Sequence, residues 1–141
     1  MMQDLIAMLV STVLGTMVGW ERQLGRKPAG LRTHTLVCLG STMFVLVTRH
    51  AVENIGGPNL DPTRIIHGVI TGVGFLGAGS IMRTEGYVHG LTTAASVWIV
   101  AAIGVSVGQD QNRVAGLDRV LGPAFQILER ALQPVAALRR V

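Results

Sequence analysis

Four stretches of the sequence hold no Asp, Glu, Lys or Arg: Leu5–Trp20, Thr33–Thr48, Ile65–Met82 and Leu91–Gln109. Each is 16 to 19 residues long, at or just below the ~17–25 that a helix needs to cross a hydrocarbon core. A single stretch of this kind is met in soluble domains as a buried helix. Four of them in 141 residues leave no polar helices or strands to cover them. The charged share is 14%, against about 25% in an ordinary soluble domain, and so small a chain has much surface to cover with polar groups. The same apolar richness excludes disorder. The lone cysteine, Cys38, excludes an internal disulfide and a cysteine-based zinc site. The expected fold is an all-α integral membrane protein, a bundle of four to five transmembrane helices forming a single domain over residues 1–141.

The net charge of +4 raises the question of nucleic acid, but the charges cluster between apolar windows, so the expected partner is the lipid bilayer and no nucleic acid. The first window is expected to persist as a span. Met1–Asp4 carries no Lys or Arg, no small-residue cleavage site is evident, and similar windows follow. Basic residues set the orientation. The first loop holds Arg22, Arg26, Lys27 and Arg32, the second Arg49 and Arg64, the third Arg83. The first loop is therefore the cytoplasmic candidate and the N-terminus is expected outside. Val114–Leu138 is less clear. Its apolar residues recur at helical spacing, yet Asp118, Arg119, Glu129 and Arg130 interrupt them and Pro123 and Pro134 weaken a helix. It reads either as an interfacial amphipathic helix or as a fifth span. Spanning is the expectation, because it returns Arg139 and Arg140 to the side of the basic first loop.

The run Gly72-Val73-Gly74-Phe75-Leu76-Gly77 matches a dinucleotide fingerprint in letters only. It lacks the preceding strand and the acidic residue about 20 positions on, and it lies within a span-length apolar run. No cofactor is expected. In lipid the same glycines serve helix packing, since close backbone approach across small residues supplies much of the association. The pairs Gly15 with Gly19, Gly68 with Gly72, and Gly104 with Gly108, together with Gly74, Gly77 and Gly79, form the expected packing set. Stripes on three spans exceed one obvious internal interface, so self-association, as a homodimer, is expected. Asp61-Pro62-Thr63-Arg64 reads as a helix start, with Asp61 as cap and Pro62 in the first turn. His34 and His67 stand at or inside span starts, where a satisfied hydrogen-bonding role outweighs metal ligation. No window carries a carboxylate, so an intramembrane Mg²⁺ cage is not visible and no metal site is expected. There is no Walker A loop, no carboxylate dyad and no Ser/His/Asp set, and an enzyme is not expected.

Several blocks taken in order are more specific. Gly19-Trp20-Glu21-Arg22-Gln23, Ala29-Gly30-Leu31-Arg32-Thr33-His34 through Gly40, Asp61-Pro62-Thr63-Arg64-Ile65, Gly72 through Gly79, and Gly90-Leu91-Thr92-Thr93-Ala94-Ala95 together resemble the N-terminal membrane domain of the MgtC/SapB family. The resemblance covers roughly residues 15–108. It implies a bacterial inner-membrane protein of about five spans, N-terminus outside and C-terminus cytoplasmic. It also implies a role in magnesium homeostasis, stress adaptation and virulence, and a membrane partner such as the F-type ATP synthase. The polar positions matching its motifs are Glu21, Arg22, Arg32, His34, Asp61, Arg64, Thr92 and Thr93, the expected functional cluster. Glu21, Arg22, Arg32 and His34 are expected to meet Arg83 or Glu85 across the two loops of one side. The leading expectation is a non-enzymatic regulator of ion or proton homeostasis. The alternative is a small ion or proton transporter or channel lined by the Gly-rich third span.

Overall fold

A computed structural model describes residues 1–55, 63–84 and 86–109. Asp61, Glu85 and the expected fifth span at 114–138 lie outside the described residues. Four helices follow the four charge-free windows: α1 (Met2–Leu24), α2 (Leu31–Ile55), α3 (Thr63–Gly79) and α4 (Leu91–Gln109). Between α3 and α4 a small antiparallel hairpin pairs β1 (Met82–Thr84) with β2 (Tyr87–His89), Arg83 opposite Val88. The all-α membrane bundle is thus the observed architecture, with α1, α2 and α4 long and apolar enough to cross a membrane. The helices α1 and α2 overrun their windows at both ends, because residues such as Arg22, Arg32 and Arg49 continue the helix into the polar boundary instead of ending it.

The third span is shorter than its apolar window. It was expected over 65–82 and ends at Gly79. Ser80 and Ile81 close it with tight amide bonds to the carbonyls of Gly77 and Ala78, at 3.0 and 3.1 Å, and the Ser80 hydroxyl also donates to Gly77 O at 2.7 Å. Met82 therefore opens a strand. At ~1.5 Å per residue α3 is about 25 Å long, a little under a hydrocarbon core. Gly90 then turns the chain into α4 with φ of +90°, and a Cβ there would overlap the Ser80 carbonyl. Only glycine combines that dihedral with that approach.

Helix α4 is apolar on every side, the pattern of a helix surrounded by other apolar groups. It packs against α1, α2 and α3, whereas α3 leans on α4 and touches α2 only lightly. Side chains from α2, α3 and α4 meet in a small core of Val73, Val97 and Ala101, flanked by Val37 and Val69, with Ala29 of the first loop joining it. Large apolar residues such as Leu9, Met17, Phe44, Phe75 (80% exposed) and Ile99 face outward, which is an energetic liability in water and the normal state in lipid. Contacts set the helix directions. Asp4 of α1 meets Arg49 of α2 while Gly19 faces Leu31, so α1 and α2 are antiparallel. His34 meets Ser96 and Gly108 faces Val45, so α2 and α4 run parallel. The bundle has one end at Arg22, Leu31 and Thr93 and the other at Asp4, Arg49 and Arg64.

Candidate functional site

At the Arg22 end three helices bring polar side chains into an apolar bundle. Gly15, Gly19 and Arg22 lie on one face of α1, and the two glycines admit the backbone of α2. A Cβ on Gly15 would stand 2.8 Å from the His34 carbonyl oxygen, and one on Gly19 would stand 2.6 Å from Leu31 Cα. Arg22 consequently sits between α1 and α4, 7% exposed, with Nη2 donating to Thr93 Oγ1 at 2.9 Å. Its Nε is buried without a hydrogen-bond partner among the described residues. The guanidinium lies in the last turn of α1, the favourable end of that helix dipole, and faces the first turn of α4, the unfavourable end. No carboxylate forms an ion pair with it among the described residues.

His34 is fully buried. Its Nδ1 lies 2.9 Å from the Gly30 carbonyl and its Nε2 3.0 Å from Ser96 Oγ. A carbonyl only accepts, so the Gly30 bond places a proton on Nδ1. The Ser96 hydroxyl also lies 2.8 Å from the Thr93 carbonyl, so with a neutral ring its single proton serves one of two acceptors. Two turns further along, Thr42 of α2 reaches the Gly104 carbonyl of α4 at 2.8 Å and its own Cys38 carbonyl at 3.1 Å. These contacts tie α2 to α4 with hydrogen bonds that lipid cannot replace.

Of the expected polar cluster, Arg22, His34 and Thr93 come together. The rest does not. Glu21, Arg32 and Thr92 lie at the same end but are exposed, because each falls on the outer side of its helix. Arg64 is exposed at the opposite end, and Asp61 lies outside the described residues. Of the expected meeting of Glu21, Arg22, Arg32 and His34 with Arg83 or Glu85, the Arg83 half does not occur, since Arg83 stands on an exposed strand, and Glu85 lies outside the described residues. The glycine set also divides. Gly15, Gly19, Gly104 and Gly108 are tight against α2, with Cys38, Ser41, Thr42 and Val45 facing the latter two. Gly77 makes ordinary contact with Ala94 at 3.6 Å. Gly68, Gly72, Gly74 and Gly79 are not packing contacts of the described chain, having nothing within 4 Å of an added Cβ. Two of the three stripes invoked for self-association are therefore used within the chain.

Sequence reasoning did not single out Ser96 or Thr42, and it placed Gly90 only within a family motif, with no structural role. The first two sit in charge-free windows, where a hydroxyl reads as neutral until its partner helix is known. It also missed the charged knot at the other end: Asp4 reaches Arg49 at 3.5 Å and His50 at 3.4 Å, and Glu53 reaches Arg49 at 3.4 Å and His50 at 3.6 Å. The spacing of Arg49 and Glu53 on one helix was the available signal. Among the described residues no group of three His, Cys, Asp or Glu stands close enough to hold a metal ion.

A sequence model of the MgtC family matches residues 8–133. The chain belongs to the MgtC family. It is 41% identical over 146 residues to Protein SrpB of Synechococcus elongatus, covering 94% of this chain and 78% of SrpB. It is 35% identical over 140 residues to Protein MgtC of Brucella abortus, covering 89% and 57%. To a protein of Escherichia coli K12 named "Putative magnesium transporter YhiD" it is 42% identical over 107 residues, 74% of this chain. The chain spans about half the length of YhiD. No solved structure matches it. Membership makes this a multi-pass membrane protein, in accord with its apolar helices.

Proposed function

We propose that this chain is the membrane unit of a non-enzymatic regulator of magnesium, ion or proton homeostasis in the bacterial inner membrane. In this reading it serves stress adaptation by binding a membrane partner such as the F-type ATP synthase. The observation that carries the reading is the hairpin at the Arg22 end. All six strand residues are exposed, including Met82, Tyr87 (73%) and Val88. An isolated two-stranded hairpin is marginal on its own, and this one presents apolar side chains beside a charged rim. Glu21, Arg26, Lys27, Arg32 and Arg83 are exposed there and form no ion pair among the described residues. Positive charge concentrated on one side favours the cytoplasm for that end, which would put the N-terminus outside. The buried bonds of Arg22, His34 and Thr42 then act as the frame that holds this surface, and Gly90 against Ser80 fixes where the hairpin leaves the bundle.

The transporter reading draws support from the name YhiD carries. Against it, the Gly-rich face of α3 borders an apolar groove in which Arg64 and Ser41 are the polar side chains. That lining suits neither a hydrated cation nor a proton wire. Proteoliposomes loaded with Mg²⁺- or pH-sensitive dye separate the two readings. The regulator leaves flux at the level of protein-free vesicles. Flux that is abolished by Arg22→Ala or Arg64→Ala would replace the regulator with the transporter.

A further inference from the structure

The light contact between α2 and α3 leaves a groove of about 810 Å³ between them, within the ~300–1,000 Å³ range of pockets that hold a small molecule. Its walls are apolar, with Phe44 on one side and Leu76 on the other, and its floor is opened by Gly40, Gly68 and Gly72. No side chain fills the space above those glycines among the described residues. Arg64 stands at one end of the groove, exposed, with no hydrogen bond or ion pair to any described residue. Among the described residues the acidic groups of that end are already engaged, Asp4 with Arg49 and Glu53 with Arg49 and His50.

We infer that this groove is a seat for an anionic phospholipid, one acyl chain lying along Gly68 and Gly72 and the phosphate on Arg64. Length decides between this and a transmembrane helix as occupant. From Arg64 to Leu76 the groove wall runs about 18 Å at ~1.5 Å per residue, roughly half of a ~30 Å hydrocarbon core. That matches the chain of a lipid in one leaflet, with its headgroup at the level of Arg64, whereas a helix would need the full thickness. Charge selects the lipid. A guanidinium offers a planar fork that meets a phosphate bidentately. Its place in the first turn of α3 adds the positive end of the helix dipole. A zwitterionic headgroup brings its own cation and gains less.

The test uses the full chain, delipidated in mild detergent, with phosphatidylglycerol or phosphatidylcholine of matched chains. Lipid retention is read by native mass spectrometry and stabilisation by thermal unfolding. The expected result is a preference for phosphatidylglycerol of roughly tenfold or more, the scale of a charge-assisted hydrogen bond. Arg64→Gln should remove the preference and Arg26→Gln, at the other end, should keep it. Gly72→Phe, whose Cβ enters open space and whose ring reaches into the groove, should lower retention of both lipids while leaving the lipid-free melting temperature unchanged. Equal retention of the two lipids by the unaltered protein would overturn the proposal, as would a preference that survives Arg64→Gln. Full stabilisation by soluble glycerol phosphate would make the ligand a free phosphate, and a disulfide between two copies of Gly72→Cys would give the groove to a second chain. Either result also overturns it.

Discussion

Gly104 offers the sharpest test of how the bundle is held. A Cβ there would overlap the Cys38 carbonyl oxygen and lie 2.9 Å from Ser41 Cβ. The first obstacle is backbone, so α2 and α4 must separate. Overpacking of this kind costs about 1–3 kcal/mol. Separation also stretches the 2.8 Å bond from Thr42 to the Gly104 carbonyl, worth about 0.5–1.5 kcal/mol. Against these losses, Gly→Ala inside a helix gains at most about 1 kcal/mol. The balance for Gly104→Ala is a net loss on the order of 2 kcal/mol. Gly72 is the matched control. It is also helical, and nothing lies within 4 Å of an added Cβ, so Gly72→Ala should be neutral or stabilising by up to about 1 kcal/mol. Thermal unfolding of both variants in one mild detergent, read by fluorescence size exclusion, gives the comparison. The melting temperature of Gly104→Ala should fall by several degrees while that of Gly72→Ala holds or rises. Equal shifts in the two would refute the assignment of Gly104 to the α2 interface.

Thr93→Val should cost about 1.5–3 kcal/mol in the same assay, because it removes the hydroxyl partner of a buried guanidinium. Arg22→Met combined with Thr93→Val should recover part of that loss, and strict additivity would show that the two side chains do not interact. His34→Ala should destabilise more than His67→Ala, since His34 is fully buried between Gly30 and Ser96 while His67 is exposed. Glu21→Ala and Arg26→Ala should both fall within about 0.5 kcal/mol of the parent, as exposed residues do; a large effect of Glu21→Ala alone would reveal an ion pair not found among the described residues.

Helix number and position were legible because a charge-free window is a direct consequence of lipid contact, and α4 coincides with its window at both ends. The end of α3 was not. Ser80, Ile81 and Met82 are as apolar or small as the span itself, and what closes the helix is the pair of tight bonds from Ser80 and Ile81 back to Gly77 and Ala78. The glycine pairs announced close packing but not the partner. Spacing puts Gly68 and Gly72 on one face as surely as Gly104 and Gly108, and only the light contact of α3 with α2 leaves the first pair open. In the polar cluster the residue types were right for burial at a span end. Whether each side chain points inward depends on helix rotation. Arg22 and Glu21 are neighbours in sequence with opposite fates, one bonded to Thr93 and one exposed.

The central claim is that the hairpin at the Arg22 end docks a membrane partner, and a photo-crosslinking residue placed at Tyr87 addresses it most directly. Tyr87 is 73% exposed at the start of β2, so the substitution leaves the bundle contacts intact. Irradiation of native membranes, followed by identification of the adducts, should give a covalent link to a membrane-sector subunit of the F-type ATP synthase. The same probe at Leu9, on the outward face of α1, should give lipid adducts. Lipid adducts alone at Tyr87, matching those at Leu9, would contradict the account.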